Sequence, residues 1–135
     1  MTAKVTYLGD FRTEATHLRS GNTLITDAPV DNQGKGEFFS PTDLVATALL
    51  TCAITTIGLS AVAKGLQVGN MQGEIEKIMS SEPPRRIAAL KGKIVFSQHQ
   101  LDEKGKKLVE HIAHNCPVFR SLHPDMQVEL LCEFE

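Results

Sequence analysis

From Leu44 to Ala63 the chain runs for twenty residues without a charge, and no other feature constrains its fold as strongly. A run of about 18 or more apolar residues is long enough to cross a bilayer. Thr47, Thr51, Thr55, Thr56 and Ser60 interrupt this one, no basic cluster flanks it, and the rest of the chain is patterned like a soluble domain. It therefore reads as a buried central helix and not as a membrane span. Ser40 can cap that helix, Pro41 suits its first position, and Asp43 stands where a capping-box acid would. Lys64-Gly65 supplies a cation and a helix-ending glycine. A helix from Pro41 to Lys64 is about 36 Å long, longer than a small domain is wide. Apolar around most of its circumference, it predicts burial on most sides and a homodimer that covers it. Gly58 would let a second backbone approach closely.

Around this helix the chain reads as strands. Lys4 to Leu8 and Thr13 to Ser20 alternate across a Gly9-Asp10 turn, and Thr23 to Thr26 follows Gly21-Asn22. Residues Asp27 to Glu37 read as a loop. Val68 to Met79 and Arg86 to Gln98 are two longer strands, the second with Leu90, Gly92, Ile94 and Phe96 on one face. A second helix is expected from about Leu101 to His114, a helical turn from Pro117 to Leu122, and a last strand from Val128 to Phe134. This order predicts an α+β fold, a single domain over residues 1–135, with a largely antiparallel sheet around a long central helix.

Composition narrows the function. Fourteen Lys plus Arg against sixteen Asp plus Glu give a formal charge of -2, with no basic run to follow a phosphate backbone, so nucleic acid is not an expected partner. The N-terminus has no apolar signal core, which points to the cytoplasm, where structural disulfides are rare. The three cysteines then suggest chemistry, metal or packing. Cys132 shares a strand face with Val128, Leu130 and Phe134 and reads as a core thiol. Cys52 reads equally as core or as a reactive thiol, and in mid-helix its thiolate would need a cation from elsewhere. Cys116 precedes Pro117, which can open a helical turn whose backbone N–H groups favour a thiolate.

Phe39-Ser40-Pro41-Thr42-Asp43-Leu44, Cys52 eight residues beyond Leu44, and His114-Asn115-Cys116-Pro117, with its cysteine sixty-four residues beyond Cys52, together resemble the OsmC/Ohr family of osmotically inducible and organic hydroperoxide resistance proteins. The likeness covers nearly the whole chain. It implies an OsmC-like fold, a tightly intertwined homodimer with two long central helices, and active sites at the dimer interface. By that match Cys52 is the peroxidatic cysteine and Cys116 the resolving one. The resemblance also places an arginine from the N-terminal strands beside the thiolate; Arg12 is the best positional match and Arg19 a weaker one. Where better-known members carry a glutamate two residues before the leucine of the helix start, this chain has Thr42, followed by Asp43. Asp43 precedes Cys52 by about 13–14 Å of helical rise, so it could assist only through Arg12 or from a partner chain.

His111, His114, Cys116 and His123 offer a metal reading, but no CxxC or HExxH pattern accompanies them, and no metal or cofactor is expected. The function expected is a thiol-dependent peroxidase acting on organic hydroperoxides through a Cys52 sulfenic acid resolved by Cys116, with a cellular dithiol as reductant. The alternative is a noncatalytic OsmC-like binding or stress-related dimer with weak redox activity.

Overall fold

Two non-glycine residues, Asp10 and Phe11, take positive φ (51° and 60°) and make the first chain reversal. They join β1 (Ala3–Gly9) to β2 (Arg12–His17), which pair antiparallel with an irregularity between Tyr7 and Gly9. A second reversal, with Gly21 at φ 77°, leads to β3 (Thr23–Asp27), antiparallel to β2. The register of this pair sets Arg12 opposite Asp27 and Thr13 opposite Thr26, whose hydroxyls are 2.5 Å apart. The expected loop follows, containing a single 3-10 turn at Val30–Asn32.

A computed structural model describes all 135 residues, which divide into two compact units, Met1–Val45 and Ala46–Glu135. The first unit buries Thr26, Asp27 and Ser40 and leaves Val5, Tyr7, Leu8, Phe11, Phe38 and Phe39 exposed. It has no apolar core of its own.

The long helix α1 (Pro41–Lys64) begins in the first unit and continues into the second, with the bounds its sequence predicts. Its capping box is complete, since Ser40 Oγ accepts the Asp43 N–H at 3.0 Å and Asp43 Oδ2 accepts the Ser40 N–H at 2.9 Å. By length and composition alone α1 could cross a membrane. Burial is narrower than the sequence suggests: Ala46, Leu49, Leu50, Ala53, Ile57 and Ala61 form one stripe, whereas Leu59 and Val62 are exposed at 69% and 88%. Within this chain only one helical face is covered. The chain brings no backbone close to Gly58 either, since a Cβ there would meet only the Met71 methyl at 3.9 Å.

In the second unit β4 (Asn70–Met79), β5 (Ile87–Ser97) and β6 (Gln127–Phe134) form a sheet in the order β4-β5-β6. The chain thus has two three-stranded sheets in place of the one expected. Three of the four strand pairings are antiparallel, and β5 with β6 is parallel. Parallel neighbours need a crossover, supplied here by α2 (Glu103–Ala113) and the short α3 (Pro117–Ser121). Asp102 caps α2 by accepting the Gly105 N–H at 2.7 Å, and a Cβ at Gly105 would come within 3.1 Å of that same carboxylate. This close approach explains a glycine inside the helix. The core joins the α1 stripe to Leu90, Ile94 and Phe96 of β5, Val109 and Ala113 of α2, Cys116, and Leu130 of β6.

Candidate active site

The helical period brings Cys52 to the edge of the buried stripe of α1. It is half-buried and packs against the core cluster that contains Cys116. Cys116 itself is fully buried, at the N-cap of α3 with Pro117 in the first helical turn. The two thiols are close enough to influence each other's ionisation. Burial pushes the Cys116 thiol above its ordinary value, the Phe119 amide pulls it partly back, and the neighbouring Cys52 pushes it up again. The Cys116 side chain makes no helix-capping hydrogen bond of good geometry, so the amides of Phe119 and Val118 only moderate the effect of burial. Both cysteines are free.

Thr56, one turn beyond Cys52, lies beside it. Its hydroxyl donates to the Cys52 carbonyl at 2.7 Å, and the same oxygen is 4.0 Å from Cys52 Sγ. The helical repeat already sets Thr56 near Cys52 in the sequence, but nothing there gives it a chemical role.

In the first unit Arg12 stands at the start of β2 and is engaged by carboxylates. Its Nε donates to Asp27 Oδ1 at 2.6 Å, and its Nη2 donates to Asp27 Oδ2 at 2.9 Å and to Glu37 Oε2 at 2.6 Å. The Phe38 ring stacks on the guanidinium 4.8 Å away. Asp27 is 1% exposed and also accepts the Glu37 backbone N–H at 3.1 Å. Hydrogen bonds from Arg12 hold the Asp27 carboxyl below the ordinary carboxylate range against the opposing effect of burial, and both carboxylates raise the arginine's own affinity for its proton.

The carboxylates that pair with Arg12 are therefore Asp27 and Glu37, neither of which sequence reading singled out. The cross-strand register would have found Asp27, because it sits directly opposite Arg12. Asp43 closes the capping box, and Thr42 Oγ1 lies 3.1 Å from Ser40 Oγ. Arg19 lies in the turn after β2. Cys132 is on the core face of β6 as expected, but it is half-buried and not sealed. It lines a cleft of about 770 Å³ with Lys107, Glu110, His111 and His114. Burial, with the nearby Glu110 charge, pushes its thiol up to about 11. Neither this cleft nor the one over Glu74, Lys91 and Lys93 on the sheet is lined by Cys52 or Cys116.

The family model described as OsmC-like protein matches residues 34–131. None of the curated proteins matches the chain. Among solved structures, a protein from Psychrobacter arcticus 273-4, provisionally described as osmotic stress induced and a detoxification response protein, is 46% identical over 98% of this chain and 96% of its own, with a TM-score of 0.91. An organic hydroperoxide resistance protein OsmC from Legionella pneumophila superposes with a TM-score of 0.75 at 16% identity, covering 98% of this chain and 97% of that one. An organic hydroperoxide resistance protein from Elizabethkingia anophelis gives 0.75 at 14% identity, covering 100% and 97%. The last two likenesses show a shared fold. With the family match spanning most of its length and a relative of nearly half-identical sequence, this chain belongs to the OsmC-like family.

Proposed function

We propose that this protein is a thiol-dependent peroxidase that reduces organic hydroperoxides. One observation carries the reading: a partly exposed Cys52 packs against the core that holds a fully buried Cys116, near enough for the two thiols to influence each other. A peroxide can meet the first thiol from solvent and not the second, and the second is already beside the first. The Cys52 thiolate attacks one peroxide oxygen, the O–O bond breaks, and the alcohol leaves with a proton. Cys52 is then a sulfenic acid. The Cys116 sulfur displaces its hydroxyl as water, forming the Cys52–Cys116 disulfide. A cellular dithiol reduces that bond and is itself oxidised to a disulfide.

The role of Arg12 as the cation for the Cys52 thiolate rests on the family resemblance. Its support in this chain is that Asp27 and Glu37 fix the guanidinium in one orientation. Apolar residues around Cys52 suit a substrate with a hydrocarbon tail better than hydrogen peroxide. A homodimer is supported by the exposed Leu59 and Val62 of α1 and by the uncovered aromatic residues of the first unit. We place the protein in the cytoplasm, where a dithiol reductant is at hand.

A noncatalytic binding or stress-related dimer is favoured by one observation, that Arg12 is already matched by two carboxylates, which offsets its charge. Single-turnover kinetics separate the readings. Reduced protein mixed with an organic hydroperoxide should lose two thiols per protomer, with Cys52→Ser inert and Cys116→Ser stopping at a sulfenic acid. Thiols that persist in the wild-type protein would reject the peroxidase reading.

A further inference from the structure

We propose that Thr56 stabilises the Cys52 thiolate by moving its hydroxyl proton from the Cys52 carbonyl to the Cys52 sulfur; the inference deepens the peroxidase reading and rests on it. A threonine hydroxyl has one proton to give. In the structure it goes to the Cys52 carbonyl at 2.7 Å, so the lone pairs of the same oxygen face Sγ, 4.0 Å away. With Cys52 protonated, its S–H can donate into those lone pairs, and both groups are satisfied. Ionisation removes that S–H and would leave lone pairs facing a negative sulfur. Rotation about the threonine Cβ–Oγ bond resolves the conflict without any change of χ1. The hydroxyl leaves a neutral acceptor for a charged one, and charge-assisted hydrogen bonds are the stronger and shorter kind.

The helix makes this exchange inexpensive. The Cys52 carbonyl also receives the Thr56 backbone N–H in the ordinary helical pattern, so it stays satisfied when the hydroxyl turns away. Both residues are half-buried, where such a bond counts for more than it does in open water. The titratable group that influences Cys52 in this unit is Cys116, whose own thiol burial pushes up. Thr56 thus gives the Cys52 sulfur a neutral donor from its own helix.

Thr51 is a built-in control. Its hydroxyl back-bonds in the same manner, to the carbonyls of Thr47 at 2.9 Å and Ala48 at 3.2 Å, but its oxygen pairs with no sulfur. The test is the pH profile of alkylation of Cys52 by iodoacetamide in the full chain, resolved from the other cysteines by peptide mass spectrometry. Thr56→Val should move the profile to higher pH and slow alkylation near neutral pH by about tenfold. Thr56→Ser, which keeps the hydroxyl, and Thr51→Val should stay within about twofold of wild type on the same scale. A Thr56→Val profile that overlays wild type would overturn the proposal, and so would an equal shift in Thr51→Val, which would reveal a helix-wide effect. Thermal unfolding confirms that each variant is folded. Alkylation consumes no peroxide, so a wild-type protein inert to hydroperoxide would end the peroxidase reading without altering this result.

Discussion

Joining Cys52 to Cys116 closes a loop of about 64 residues, which in the chain-entropy account removes roughly 4 kcal/mol of freedom from the unfolded chain. Thiols that pack in one core and already influence each other should need only a local shift to bond. Most of the entropic gain should therefore survive as stability, about 2–4 kcal/mol. At a urea m-value of about 2 kcal/mol per M, the unfolding midpoint should rise by about 1–2 M. The measurement uses Cys132→Ser, in which only the proposed pair can react. One equivalent of organic hydroperoxide is added, and mass spectrometry should record the loss of two hydrogens in a chain that still runs alone on a non-reducing gel. Urea unfolding is then followed for the oxidised and reduced forms at one protein concentration, because association alters apparent stability. Dithiothreitol should return the midpoint to the reduced value. An oxidised chain that carries the internal bond yet unfolds at the same or lower urea would refute the reasoning, because the bond would then distort the native packing. A bond formed between chains would refute it equally.

Other expectations follow from individual contacts. Asp27→Asn should lower the urea midpoint at neutral pH, and it should flatten the acid limb below about pH 4, because a carboxyl depressed by Arg12 contributes stability that is lost as pH falls through its folded value. Cys132 works in the opposite sense: raised to about 11 in the folded chain from 9.0, it keeps its full contribution below about pH 9 and loses it up to about pH 11. Cys132→Ser should therefore soften alkaline unfolding in that window while leaving hydroperoxide consumption intact, as measured by circular dichroism and thiol counting. Asp102→Ala removes the cap of α2 and should cost about 1 kcal/mol in chemical unfolding. Sedimentation at micromolar concentration should find a dimer, and a monomer there would leave the exposed faces of α1 without a role.

The legibility of this chain follows the range of the interactions. Signals written in neighbouring residues were readable: the Ser40–Asp43 box and Gly65 bounded α1, and alternation placed Cys132 on the core face of β6. Asp27 falls where composition predicts a loop, yet it ends β3. Its pairing with Arg12 depends on the β2–β3 register, which the turn between the strands sets and composition does not. The parallel β5–β6 pairing was missed although its signal was present, since a strand, a helix and a strand in succession permit a crossover as readily as a meander.

The thiol pair shows how a site can be half-visible. Sequence context marks Cys52 and Cys116 as unusual, but only the family resemblance, and no local pattern, pairs residues 64 apart. That contact comes from packing, because the α1 stripe and the α2–α3 junction share one apolar core. Burial then decides between two chemically identical groups. The cysteine whose backbone setting looked better for a thiolate, at the start of α3, is the one that desolvation keeps protonated. Two amides at the end of a five-residue helix moderate that effect, but they do not outweigh full burial. On the proposed peroxidase reading, the order of attack would follow which sulfur the core leaves open, and Cys52, less favourably placed along its helix, is the one that solvent can reach.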